Sequence, residues 1–254
     1  MFNFKFSRLV VVLAVSALVL QSAPGPCHAA SLTRGTGGNT NNKLTQKLSK
    51  AHFEFSLNLY KDLVRSKTGD GPTNNNTSSS RSANLVYSPY SVNSVLSMIF
   101  LGTSSSSNSS LQLRALLRYD DISYVDVHNA FKEVVKTLDE NYYEKKVRSA
   151  NGLFVQKGVQ VSGPYDRALR EFYHAKIEEM DFRNSDPDQT MGVVNDWVKD
   201  VTDGQIPDLL SAPPGKDSKL LLVNALAMNA KWRFPFNPLE TFDKGLFFLP
   251  NNER

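Results

Sequence analysis

The stretch Leu220–Trp232, LLLVNALAMNAKW, constrains this chain more than any other: ten of its thirteen residues are apolar, and it contains no glycine or proline. As a strand it would run about 43 Å at ~3.3 Å per residue, well beyond the usual length. Leu220, Leu222, Leu226, Met228 and Trp232 share one face, and Leu221, Val223, Ala225 and Ala227 the other. A strand apolar on both faces belongs in the middle of a sheet, covered above and below. Ala, Leu and Met are good helix formers, so a buried helix is the rival reading. The flanks favour the strand, because KDSK precedes the run without a cap tied to a helical stripe and Pro235 comes soon after. Burying its seven large side chains contributes roughly 10–20 kcal/mol gross at ~1.5–3 each, which rivals the net stability of a domain. The chain has to provide neighbours at both edges of this strand and cover on both faces.

The N-terminus has a different character. Lys5 and Arg8 lead into the apolar run Leu9–Leu20, followed by Cys27-His28-Ala29. A positive segment, an apolar segment and a small-residue cleavage site make residues 1–29 a signal peptide, removed after Ala29. A twelve-residue run is too short for a transmembrane anchor, which takes about 20. Secretion to the extracellular space is therefore expected, with no membrane association after cleavage. Cleavage takes away Lys5 and Arg8, leaving 27 basic against 25 acidic groups, too small an excess to argue for nucleic acid as a partner. It also takes Cys27, the single cysteine, so the core is expected to hold without disulfides.

Residues 30–43 form a flexible lead, and one domain is expected over 44–254. Leu44, Leu48, Ala51, Phe55, Leu59 and Leu63 recur at helical spacing. The polar run SKTGDGPTNNNTSSSRSA is a loop with overlapping acceptor sequons at Asn75 and Asn76. Asn84–Tyr87 reads as a short strand. Ser88 caps a helix with Pro89 at its first position, and Gly102 closes it. The serine-rich run 103–110 reads as a loop with a third sequon at Asn108. Helices are expected over Leu111–Leu117, around Val127–Leu138, over Pro164–Ala175 and over Pro187–Val201, the last closed by Gly204. Ser149–Val155, Lys176–Phe182 and Thr241–Leu249 read as strands. Helices dominate early and strands late, without a βαβ rhythm, so the fold class is α+β.

Several chemistries lack their signatures. His52, His128 and His174 stand singly, without metal-ligand spacing. There is no GxSxG, P-loop or GxGxxG. Nothing in the sequence reads as an enzyme, and no cofactor or metal is implied.

Blocks of residues along the chain carry a resemblance. Phe53–Lys61 (FEFSLNLYK), Asn84-Leu-Val-Tyr-Ser-Pro-Tyr-Ser-Val, Leu96-Ser-Met and Leu101-Gly102 resemble the N-terminal blocks of the serpins. Asn151-Gly-Leu-Phe-Val-Gln is similar to the family's second strand of sheet A. Val194-Asn195-Asp-Trp197-Val with Thr202-Asp-Gly204-Gln-Ile206 resembles its helix F and the exit from it. Leu222-Val-Asn224-Ala, Lys231-Trp232, Pro235-Phe236 and Thr241 resemble the third strand of sheet A and the segment after it. The matches run in order from about Leu44 to Leu249. Leu101-Gly102-Thr103 and the serines after it depart from the family's pattern at one corner, and the family's C-terminal part, with the reactive-centre loop, has no counterpart in the sequence.

The resemblance implies a serpin fold, truncated at the C-terminus, with a helical N-terminal part packed on a large mixed sheet A and parts of sheets B and C. In family-length form it implies a monomeric, single-use inhibitor of a protease, serine type first and cysteine type second, whose cleaved loop inserts into sheet A. A non-inhibitory carrier, chaperone or binding protein is the alternative. By resemblance Ser88, Ser91 and Asn224 mark where the sheet parts, Trp232 marks where the loop enters, and Asn195, Trp197, Thr202 and Gly204 belong to helix F. Unaided, Ser88 is a cap, Ser91 and Asn224 are satisfied buried polar groups, and Trp232 is a core aromatic. Lys132, Lys136, Lys145, Lys146 and Arg148 form a weaker candidate site for a glycosaminoglycan, although interleaved acidic residues favour a plain solvated face. The sequence alone is expected not to inhibit, with one edge of its long strand left open.

Overall fold

The computed structural model describes residues 10–13, 17–18, 39–68, 85–104, 106–140, 147–229, 234 and 237–240. The long apolar stretch is a strand, β5 (Leu220–Met228), and the sheet is organised around it. Its inner edge runs antiparallel to β3 (Val147–Gln156), from Val147 opposite Met228 to Val155 opposite Leu220. β3 in turn runs parallel to β4 (Lys176–Met180). The outer edge of β5 takes two short parallel segments, β1 (Val10–Leu13) and β2 (Ala17–Leu18). The open edge expected there is therefore partly closed by the apolar run that reads as a leader. Val10–Val12 are β-branched and suit an extended ladder as well as they suit an apolar targeting segment.

Two layers cover the sheet, as the apolar faces of β5 require. On one side lie α1 (Asn39–Thr68), α2 (Pro89–Leu101), α3 (Asn108–Leu116), α4 (Tyr124–Glu140) and α5 (Gly163–Tyr173). Leu48, Ala51 and Phe55 of α1, Val95 and Met98 of α2, Val127 and Phe131 of α4, and Leu169 of α5 bury themselves there with Leu153, Val155 and Leu222. On the other side lies α6 (Pro187–Val201). Val194 and Val198 of α6 pack with Ala150, Phe154, Leu221, Val223, Ala225 and Ala227. The alternation of β3 and β5 thus divides cleanly between the layers. β3, α5 and β4 make one βαβ unit, against the absence of such a rhythm expected from the sequence; Pro164 at the start of α5 and its left-handed C-cap His174 fix the crossover.

Gly152 sets how closely α6 approaches. A Cβ at that position would lie 2.7 Å from Cη2 and 2.8 Å from Cζ3 of Trp197, and 3.1 Å from Cε2 of Phe154. The indole therefore rests on bare backbone, with Phe154 edge-on to it and Lys176 Nζ 5.6 Å from its ring centroid. Gly152→Ala is expected to destabilise the fold by about 1–3 kcal/mol through overpacking. Urea denaturation checks it, and an unshifted midpoint at constant slope would show that the indole moves freely aside.

The structure differs from expectation at several places. α1 begins at Asn39, inside the stretch 30–43 expected as a flexible lead, and runs on to Thr68, into the polar run expected as a loop. α3 begins inside the serine-rich run, because the Ser107 side chain accepts from the Ser110 N–H at 3.1 Å and caps it. Leu85–Ser88 carries no ladder among the described residues, since a strand exists only with a partner. Gly102 closes α2 with φ −80, not in the left-handed region; it is there for space, since a Cβ would press on the Tyr165 ring at 3.2 Å. β5 is nine residues long rather than thirteen. Trp232, the strand expected at Thr241–Leu249, Asn75, Asn76, Lys145 and Lys146 lie outside the described residues.

Candidate functional site

The centre of the sheet holds buried polar side chains where an apolar core would be simplest. Serines recur at every third position of α2 and its cap, at 88, 91, 94 and 97, and all four are buried. On a helix this spacing makes a row that winds obliquely round the axis, and Ser94 is the member that bonds to the sheet, at Asn151. Ser88 is the N-cap: its Oγ accepts from the Ser91 N–H at 3.2 Å and from the Ser91 hydroxyl at 3.0 Å. Neither bonds to Asn224. The residue that meets Asn224 is Asn151, directly opposite it on β3.

Asn151 is the hub. Its Oδ1 accepts from Asn224 Nδ2 at 2.8 Å and from Ser94 Oγ at 3.1 Å, and its Nδ2 donates to the Tyr173 carbonyl at 2.8 Å. The Tyr173 hydroxyl in turn bonds His128 Nδ1 at 2.8 Å. One polar chain therefore ties α2, α4 and α5 to both central strands. Asn224 is 0% exposed, and its Oδ1 has no donor among the described residues. Burial pushes the His128 pKa down to about 3 and the Tyr173 hydroxyl well above its ordinary value, so both are neutral near pH 7. A second knot lies beside the first: the Tyr119 hydroxyl donates to Asn93 Oδ1 at 2.8 Å and bonds Ser97 Oγ at 2.7 Å.

On the opposite face the α6 residues expected from the sequence fall into one structural unit. Asn195 Nδ2 donates to the Leu210 carbonyl, and its Oδ1 accepts from the Leu209 and Leu210 N–H groups at 3.0 and 2.8 Å. Thr202 Oγ1 donates to the Val198 carbonyl at 2.8 Å and accepts from the Ile206 N–H at 3.2 Å. Gly204 turns the chain at φ +75, a conformation glycine adopts without strain. Together they fold the segment after α6 back along the helix.

Among the described residues, Arg148 stands apart from the other basic candidates, Lys132 and Lys136, which both lie on α4. Arg148 is 4% exposed and pairs with Asp203 on the α6 side, because it shares the face of Ala150, Gly152 and Phe154; it is not part of an open basic surface. Lys132 lies on the other layer, bonded to Glu171 at 2.8 Å and 5.9 Å from the Phe172 ring centroid. Asn108 is exposed, at the first position of α3. No group of three metal-ligating side chains occurs among the described residues, and no described helix is long and apolar enough to cross a membrane.

Asn151, Ser94, Tyr173 and His128 were missed in the sequence. The signals were present: Asn151 shares a strand face with Leu153 and Val155, and His128 sits within the stripe of Val127, Phe131 and Val135. A polar side chain on an apolar face is the mark of a buried network.

The family profile described as Serpin (serine protease inhibitor) matches residues 50–254. The chain is 27% identical over 198 residues to alpha-1-antiproteinase of Rattus norvegicus, covering 78% of this chain and 44% of that protein. It is 29% identical over 208 residues to Serpin B8 of Homo sapiens, covering 82% and 50%. The fold superimposes on human glycosylated kallistatin with a TM-score of 0.67 at 24% identity, covering 82% of this chain and 51% of that one. The chain thus spans about half the length of the curated relatives it matches. The profile takes in both central strands, the serine row, the Asn151 hub and α6, and on that ground the chain belongs to the serpin family.

Proposed function

We propose that this chain is the N-terminal part of a secreted serpin that, in family-length form, traps a protease of the serine type by accepting its own cleaved loop as a new strand beside β5. The observation that carries this reading is the outer edge of β5. Nine residue pairs hold β5 to β3, but among the described residues the other edge takes four pairs from β1 and two from β2. Asn224, in mid-strand, keeps an unused buried acceptor among the described residues. A buried acceptor without a donor costs about 1–3 kcal/mol, and a half-filled edge leaves ladder groups unpaired; an added strand could relieve both. Release from the cell rests on Lys5, Arg8 and the Leu9–Leu20 run. Cleavage after Ala29 would take β1 and β2 with it and open the edge fully.

The test is to incubate a family-length form with trypsin-, chymotrypsin- and elastase-like serine proteases and a papain-like cysteine protease, and to look for a one-to-one adduct that survives SDS. An adduct with a serine protease is expected. Cleavage of the loop without any adduct would replace inhibition by a carrier or binding role. Secretion is checked on the same material: the protein collected from the medium should begin at Ala30.

A further inference from the structure

The geometry points to Arg148 and Asp203 as a latch: an ion pair that holds the exit of α6 down on the sheet and sets how easily that end of the helix lifts. The argument starts from how unevenly α6 is anchored. Near the middle of β3 the grip is apolar and close, with Trp197 seated on Gly152 and against Phe154. Towards the Arg148 end the sheet presents Ala150, Ala225 and Ala227 on that face, and Arg148 itself stands opposite Ala227 in the ladder. Alanines bury little apolar area, so they hold a helix weakly. Val198 and Ile206 join the same cluster from the α6 side, and a polar contact adds to the grip of that end.

Arg148 is placed to supply it. It is a guanidinium, always charged, yet 4% exposed. A buried charge left without its partner is strongly destabilising, so a carboxylate is needed beside it. Asp203, two residues beyond the end of α6 and with its side chain 45% exposed, provides one. It does so at φ +52, a left-handed conformation uncommon for a residue with a side chain, and Gly204 comes next at φ +75. A glycine or asparagine at 203 would suit the turn better; the aspartate fits the ion pair. The same turn is closed by bonds from the Gly204, Gln205 and Ile206 N–H groups to the Lys199 carbonyl, the Thr202 carbonyl and Thr202 Oγ1. These three amides report whether the exit of α6 is seated or lifted.

Hydrogen exchange on the 254-residue chain tests the latch. Asp203→Asn is expected to raise the exchange of the 204–206 amides about tenfold or more, while Asp203→Glu, which keeps the charge, stays within about threefold of the parent. Asp203→Gly is the decisive variant, since it relaxes the backbone and removes the carboxylate together. If residue 203 serves only the turn, glycine leaves exchange unchanged or slows it, and the latch is refuted. If the latch holds, glycine speeds exchange as asparagine does. Arg148→Met, which keeps a long unbranched side chain, should match Asp203→Asn. Asp200→Asn, an exposed neighbour on the same helix end, should change nothing; an equal rise there would also overturn the proposal. What the latch regulates rests on the reading of the sheet as the part that opens: in family-length form, Asp203→Asn should then shift the rate of adduct formation. A family-length form that makes no adduct removes that consequence and leaves the exchange result standing.

Discussion

Replacing Asn151 by alanine is expected to lower the unfolding free energy by about 3–5 kcal/mol, more than the same change at Asn224. Asn151→Ala strands three groups at once: the Ser94 hydroxyl, the Asn224 amide N–H and the Tyr173 carbonyl. Each buried group left unpaired costs about 1–3 kcal/mol, less whatever it recovers by turning to a new partner. A serine hydroxyl can rotate, so the upper end of the sum is not reached. Asn224→Ala breaks one bond and removes an Oδ1 that had no donor among the described residues, and Asn151 Oδ1 keeps Ser94. Its cost should stay near 1–2 kcal/mol. Urea denaturation of the two variants at constant slope decides the order. If Asn224→Ala proves the more damaging, the hub lies on β5 and not on β3.

That ordering shows where the sequence was legible and where it was not. Asn224 stands out because it interrupts an apolar strand. Asn151 sits next to Gly152 in a strand that reads as ordinary alternation, and what makes it the hub is its register opposite Asn224. Register is a property of the ladder between two strands 73 residues apart, and neither strand contains it. Local signals fared better. Pro187 and Gly204 bracket α6 within a few residues, and the two faces of β5 match the two layers that cover it. Arg148 illustrates the middle case. Grouped by proximity with Lys145 and Lys146 it looked like surface charge, although its phase with Ala150, Gly152 and Phe154 already assigned it to the α6 face. The outer edge of β5 failed for another reason. Once the Leu9–Leu20 run is set aside as a leader, it no longer offers itself as a partner for that edge, although the same β-branched residues serve either purpose. Phe53, Leu57 and Tyr60 of α1 stay exposed beside the apolar stripe that the helix buries, Tyr60 stacked on the Tyr87 ring at 6.4 Å.

The stability of the fold should fall between pH 7 and pH 5, with His128 contributing about 2 kcal/mol of that loss. The imidazole is 1% exposed, with Phe100, Tyr124, Phe172 and Tyr173 around it at centroid distances of 4.9 to 6.0 Å. Its Nδ1 is occupied by the Tyr173 hydroxyl, and its Nε2 has no partner among the described residues. Protonation would place a charge in this dry site, and burial therefore pushes the pKa from the ordinary 6.5 down to about 3. Between those two values the unfolded chain binds the proton and the folded chain does not, so stability rises with pH across the window. It is fully present above 6.5 and is lost as the pH falls towards 3. The whole shift corresponds to about 5 kcal/mol, of which about 2 kcal/mol is gone by pH 5. His52, also lowered by burial, adds to the same slope and survives in a single variant. His128→Gln keeps a partner for the Tyr173 hydroxyl and cannot take up the proton. Its loss between pH 7 and pH 5 should be about 2 kcal/mol smaller than that of the parent in paired urea denaturations. Parallel losses in the two proteins would mean that His128 becomes charged inside the fold at little cost, and that the polar chain from α4 to Asn224 is wetter than its geometry implies.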